Sequence, residues 1–296
     1  MRRPAADFLL LATVTLWALN FTAAKYILTH GFGPLAFSSV RYAIAGLLFT
    51  VIVLPRERSL RIGRTDVPLM GGGVVLLLLN QLCFIYALRF TTATTVALLF
   101  GTLPIFSALI SSAVGMERLS VRFWIAAAIS FSGVALVALG SSVGLSADLK
   151  GDGLAVGATI TWAGYSVLIA SLMRRYSPFR ISAIFLLAVT LPLALLGSRQ
   201  LAHQNFDLGW AVWAWFAYAV IGPLVITNVT WFTAIDRVGP ARASLFANLQ
   251  PFLAAIVALL VLHETITGTQ IAGGLAIGCG ILLSPRSRTA GAGAER

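Results

Sequence analysis

Apolar residues fill this chain in stretches of about twenty, separated by short polar links. Ten stretches can be marked, at about 7–29, 34–54, 67–88, 92–113, 119–139, 152–173, 178–197, 209–233, 239–261 and 266–284. A hydrocarbon core about 30 Å thick is crossed by about 20 helical residues, so each stretch predicts one transmembrane helix. The links hold the turn signals: Gly33-Pro34 opens the second stretch, Pro55 closes it, Ser177-Pro178 opens the seventh and Gly239-Pro240 the ninth. They leave no room for a soluble domain.

The pattern occurs twice. Phe100-Gly-Thr-Leu-Pro104-Ile-Phe106 reaches Glu117 thirteen residues after its proline, and Asn248-Leu-Gln250-Pro251-Phe252 reaches Glu264 at the same spacing. An offset of 147 residues relates the two, and it also carries Arg89 onto Asp236 and Gly133 onto Gly280. Asp7 and Trp17 are ten residues apart, as are Asp152 and Trp162. That match argues against reading the basic, apolar start as a cleaved signal, which would need no internal partner. A period near half the chain length means two copies of one unit. The expected units are residues 1–147 and 148–285, each of five helices, followed by a disordered cytoplasmic tail at 286–296. Five is odd, so the second copy enters the membrane from the opposite side. The predicted fold class is an all-α integral membrane protein, with ten transmembrane helices as two inverted five-helix repeats. Halves so related can rock about a central site, as in secondary transporters.

Composition agrees: 58% of the 296 residues are hydrophobic, 10% are charged, and mean hydropathy is +0.91. Soluble domains carry roughly a quarter charged residues. The net charge of +11 does not predict a nucleic-acid partner, because the basic residues lie in links between apolar runs. Sixteen fall on one side and only Arg89, Lys150 and Arg199 on the other, which places both termini in the cytoplasm. The partners expected are the lipid bilayer and a small-molecule substrate. Cys83 and Cys279 lie in apolar runs and read as small buried hydrophobes.

Helix rise converts position into depth. Trp17 and Trp162 each lie about 15 Å beyond an acidic residue at the membrane edge, so both reach the midplane from opposite sides. Tryptophan normally gathers at membrane interfaces, so this pair either lines a cavity or fills space between helices. Asn20 and Tyr165 follow three residues later on the same faces. Pro104 and Pro251 each fall about twelve residues into their helices, where a proline frees a carbonyl and shapes either a hinge or a static kink. Asn248 and Gln250 flank Pro251, while Asn80 and Gln81 match Thr227 and Asn228 in the second copy. Amides at this depth serve as interhelical glue or as substrate contacts. All ten acidic residues fall at helix ends or in links, so no proton relay or cation-binding acid is expected at the centre. Lys25 and Arg41 are the charges inside helices. Lys25 can snorkel outward and Arg41 can tie helices through carbonyls, and either can meet a substrate carboxylate. Phe100 and Trp231 complete the candidate substrate-binding set. Gly274 and Gly278 form a G-x-x-x-G signal for close packing, within the monomer or at a dimer seam.

In these residues (Trp17 with Asn20, Pro104 with Glu117, Trp162 with Tyr165, Pro251 with Glu264, and the Gly273–Gly280 helix) the whole chain resembles the ten-helix, EamA-type branch of the drug/metabolite transporter superfamily. Within it, the general similarity is to bacterial aromatic amino-acid exporters of the YddG type. The resemblance implies a bacterial inner-membrane exporter of amino acids and related metabolites, working by alternating access. It implies a cavity lined by the first, third, fourth, sixth, eighth and ninth helices, without catalysis, cofactor or metal. A drug, or a phosphorylated metabolite or nucleotide sugar, is the alternative cargo for the same fold. The membrane glutamate that the small multidrug members use in their first helix is not present here.

Overall fold

A computed structural model describes residues 4–140, 148–254, 256 and 267–284. The expected boundary at 147, the tail at 286–296, Glu264 and the end of the ninth stretch lie outside the described residues. What is described is built of helices: α1 (Pro4–Thr29), α2 (Pro34–Glu57), α3 (Val67–Phe90), α4 (Ala93–Phe100), α5 (Leu103–Ala113), α6 (Val121–Leu139) and α7 (Leu149–Leu172). Then come α8 (Pro178–Leu196), α9 (Ser198–Ala202), α10 (Gly209–Val220), α11 (Thr227–Val238), α12 (Pro240–Ala247) and α13 (Gly268–Leu283). Eight spans among them are long and apolar enough to cross a membrane, and α13 is a shorter apolar helix. Large apolar side chains such as Leu47, Val51, Leu191, Leu195 and Leu282 are exposed on the outside. A soluble surface does not tolerate so much apolar area, whereas hydrocarbon does.

Polar side chains at the links start several helices. Thr92, Asp148 and Ser177 each accept hydrogen bonds from backbone N–H groups of the first turn of α4, α7 and α8. Thr267 and Gln270 form a reciprocal capping box on α13. Pro55 does not close α2 as its position suggests. It sits in the last turn, and the helix runs on to Glu57 before Arg58 turns left-handed.

Pairing between elements follows the repeat. Helix α6 packs along α13, α2 along α8, α5 against α12, and α3 along α7 as α1 does along α10 and α11. The glycines give the geometry of the first pair. A Cβ on Gly133 would lie 2.6 Å from the Gly273 carbonyl oxygen, and one on Gly280 would lie 2.7 Å from that of Ala126. The 147-residue offset converts Ala126 into Gly273 and Gly133 into Gly280, so each contact is the image of the other. Residue numbers rise along α6 as they fall along α13, so the helices are antiparallel. Two copies related in this way are inverted about a two-fold axis. The seam differs from the G-x-x-x-G expectation: Gly273 and Gly280 face α6, Gly274 faces the Phe252 ring, and Gly278 faces open space. The first turn of α1 and the end of α13 meet, where the Arg242 guanidinium donates to Asp7 on α1 and to the Ser284 carbonyl after α13.

Three spans depart from a continuous α-helix, two of them in the same way. Between α4 and α5 the amides of Gly101 and Thr102 bond three residues back, to Leu98 and Leu99. The amides of Asn248 and Leu249 do the same to Leu245 and Phe246, and 101 and 102 are carried onto 248 and 249 by the offset. Pro104 and Pro251 are therefore not in mid-helix. Each is the second residue of a helix that restarts after the break, where an N–H would lack an intrahelical partner anyway. The eighth span is interrupted differently, by a π-helical turn at Ile221–Ile226 that contains Gly222 and Pro223.

Candidate functional site

The spans converge on a cavity between the two halves. Counted as room open to the centre of a water molecule it is about 80 Å³, several times what one water requires. From α1 it receives Trp17, Asn20 and Phe21, from α3 Asn80, Gln81 and Phe84, and from the α4–α5 break Phe100 and Leu103. The second half supplies Trp162 and Tyr165 from α7, Pro223 and Leu224 from the π turn, Asn228 from α11, and Gln250. Helices α2 and α8 add Arg41, Tyr42 and Leu186. The second and seventh spans thus reach the cavity, in addition to the six that the resemblance implies.

Two groups of rings wall it. The Trp17 and Trp162 rings meet edge to face with centroids 5.4 Å apart, and Tyr165 lies 5.5 Å from Trp162. On the other side Phe21 sits 5.7 Å from both Phe84 and Phe100. The Trp17 indole is fixed by its Nε1, which donates to Thr227 Oγ1 at 3.1 Å. Such offset and edge contacts hold rings in place and leave their remaining faces for an apolar guest.

Polar groups lie between the walls. Arg41 is 2% exposed, and the charge of its guanidinium meets no carboxylate among the described residues. It donates to Gln81 Oε1 at 3.1 Å and, more weakly, to Asn20 Oδ1 at 3.5 Å. Its carbon lies 4.8 Å from the Phe37 ring centroid, a cation–π contact. The Tyr42 hydroxyl donates to the same Gln81 oxygen at 2.9 Å, and the Gln81 amide donates to Ser38. Asn80 donates to the Ala158 carbonyl at 2.8 Å, joining α3 to α7. Among the described residues no group of three or more His, Cys, Asp or Glu could hold a metal ion.

Nine of the sequence candidates line this cavity: Trp17, Asn20, Arg41, Asn80, Gln81, Phe100, Trp162, Tyr165 and Asn228; Gln250 makes a tenth. Three others face elsewhere. Trp231 is 1% exposed, donates to Ser166 Oγ and backs the Trp17 ring at 4.9 Å. Asn248 is fully buried and donates to Ser130 Oγ, tying the ninth span to α6. Lys25 donates to the carbonyls of Leu88 and Thr91, where a cation suits the negative end of α3. Sequence reading omitted Phe21, Tyr42, Phe84 and Pro223. Phe21 could have been found, since it stands one turn after Trp17 on the same face, and the Gly222-Pro223 pair marked a break in the eighth run.

Comparisons with known proteins agree with this architecture. The model of the EamA-like transporter family matches the chain twice, over residues 4–139 and 149–285. An uncharacterized transporter of Archaeoglobus fulgidus is 26% identical, covering 93% of this chain and 97% of its own. A Salmonella typhimurium protein named "probable amino-acid metabolite efflux pump" is 22% identical over 94% of this chain and 93% of its own. A Streptantibioticus cattleyicolor protein named "probable terminal-alkyne amino-acid exporter" is 25% identical over 98% and 96%. One solved crystal structure superposes with a TM-score of 0.78 at 19% identity, covering 95% of this chain and 96% of that one, which shows a shared fold. The chain belongs to the EamA-like transporter family, within the drug/metabolite transporter superfamily.

Proposed function

We propose that this protein exports amino acids, aromatic ones included, and related small metabolites across a bacterial inner membrane. The observation that carries the reading is the ring-walled cavity at the two-fold between the repeats, into which one buried cation projects. A carboxylate is the natural partner for Arg41, and an apolar side chain suits the Trp17, Trp162 and Phe100 rings. Two relatives named for amino-acid efflux and export support that cargo class. A bulky phosphorylated cargo would call for more than one cation, and among the described residues Arg41 is the one charged side chain that lines the cavity.

In this reading the two units, near 1–147 and 148–285, rock against each other so that the cavity opens first to one face and then to the other. The paired helix breaks ahead of Pro104 and Pro251 serve as the hinges. Backbone already released from α-helical bonding bends there at small cost. Sixteen basic residues in one set of links put the termini in the cytoplasm. The protein works as a monomer and needs no cofactor.

Reconstitution into liposomes tests the reading. Labelled phenylalanine, tryptophan, leucine, threonine and glutamate, with a lipophilic cation as control, are followed with and without a proton gradient. Saturable flux of the neutral amino acids that persists without the gradient is expected. Proton-dependent flux of the cation alone would overturn it in favour of drug efflux.

A further inference from the structure

The charge inside the cavity is unbalanced. A guanidinium carries five N–H donors, and Arg41 makes two side-chain hydrogen bonds among the described residues. The Nε of Arg41 is buried and has no hydrogen-bond partner among the described residues. A buried cation left in this state is expensive unless something neutralises it.

The fold does not require the charge. Arg41 stands seven residues after Pro34, the first residue of α2, and Phe185 stands seven after Pro178, the first residue of α8. Those positions correspond in the two repeats. In the second copy the place is filled by a fully buried phenylalanine packed on Tyr165 at 5.3 Å. One repeat thus completes this packing with an apolar ring, and the other brings a cation to the cavity edge.

An ammonium group has no comparable partner. Among the described residues no aspartate or glutamate lines the cavity. Gln81 Oε1 already accepts from both Arg41 and Tyr42, so what the lining offers an ammonium is the neutral side-chain amides of Asn20, Asn80, Asn228 and Gln250. An α-amino acid held by its carboxylate at Arg41 would bring its ammonium close to a like charge, with two cations sharing one carboxylate, whereas a monoanion balances the guanidinium one to one.

We infer that the cavity is selective for monoanions: it holds an aromatic carboxylate without an α-ammonium group more tightly than the corresponding amino acid. The class includes arylalkanoates and aromatic 2-oxo acids. This rests on the reading that the cavity carries the substrate. It deepens that reading by naming the charge state the site fits.

Three ligands with one ring separate the cases: 3-phenylpropanoate (carboxylate only), phenylalanine (both groups) and 2-phenylethylamine (ammonium only). Each is titrated against the purified full chain in lipid nanodiscs, and each competes with labelled phenylalanine flux in liposomes. We expect 3-phenylpropanoate to bind at least about tenfold more tightly than phenylalanine, and 2-phenylethylamine not to bind. Arg41→Lys should keep the order and Arg41→Gln should abolish it. The wild-type order decides the question even if Arg41→Gln misfolds. Phenylalanine binding as tightly as 3-phenylpropanoate, or flux of phenylalanine that 3-phenylpropanoate does not inhibit, overturns the inference while leaving amino-acid export intact. Tight 3-phenylpropanoate binding without phenylalanine flux overturns amino-acid export and leaves the inference. Binding of none of the three sinks both.

Discussion

Leucine in place of Gly133 is expected to prevent the two halves from closing on each other. At this position a Cβ would stand 2.6 Å from the Gly273 carbonyl oxygen and 2.8 Å from the Ile277 amide nitrogen. Both are backbone atoms and cannot swing aside as a side-chain tip would. Either α6 and α13 separate or the close-packed seam along both is lost. Overpacking of this kind costs about 3 kcal/mol or more. Seam packing contributes strongly here because in hydrocarbon helices associate through close van der Waals contact. Size-exclusion profiles and thermal unfolding in detergent measure the effect. A monodisperse Gly133→Leu protein that melts with the wild type would mean that the seam is not a closed contact. Leucine at Gly278, whose Cβ would meet no atom within 4 Å, is the matched control and should leave stability unchanged.

The second large effect is on transport. Trp162→Ala removes a ring that is only partly buried by protein and whose free surface lines the cavity. Its T-shaped partner Trp17 would lose a neighbour, and an aromatic guest would lose a stacking face. An aromatic contact of this kind plus its buried area is worth roughly 1–3 kcal/mol, so transport efficiency for phenylalanine should fall about ten- to hundredfold. Folded yield should hold, because the buried Tyr165 that packs on Trp162 and the buried Trp231 that packs on Trp17 remain. Flux assays on matched amounts of reconstituted protein read the change. Unaltered kinetics in both Trp162→Ala and Trp17→Ala would remove the rings from the substrate path.

Depth and repetition could be read from the sequence because both are carried by covalent spacing. The 147-residue offset predicted that Gly133 and Gly280 correspond, and the two glycines make image contacts. Ten residues from a membrane-edge acid predicted that Trp17 and Trp162 share a level, and their rings touch. Direction around a helix axis was harder to read. Trp231, Asn248 and Lys25 lie at plausible depths, yet each is claimed by a partner on another helix: Ser166, Ser130, and the end of α3. Those partners are far away in sequence, so no local pattern announces them. The helix breaks escaped for another reason. A proline twelve residues into an apolar run fits a kink in one helix as well as the start of a second, and only the backbone bonding around Gly101–Thr102 distinguishes them. Arg41 was visibly inside the membrane, but whether an acid would meet it depended on the folding of eight spans together.

The central claim is that one cavity serves both faces of the membrane, and a single cysteine tests it most directly. Phe100→Cys, in a chain with Cys83 and Cys279 replaced by alanine, places a thiol on the cavity wall beside the α4–α5 break. A membrane-impermeant maleimide is then applied to one face or the other, with and without substrate. The account predicts labelling from both faces, slowed from both by a bound aromatic carboxylate. Labelling from one face only, unchanged by substrate, would contradict it.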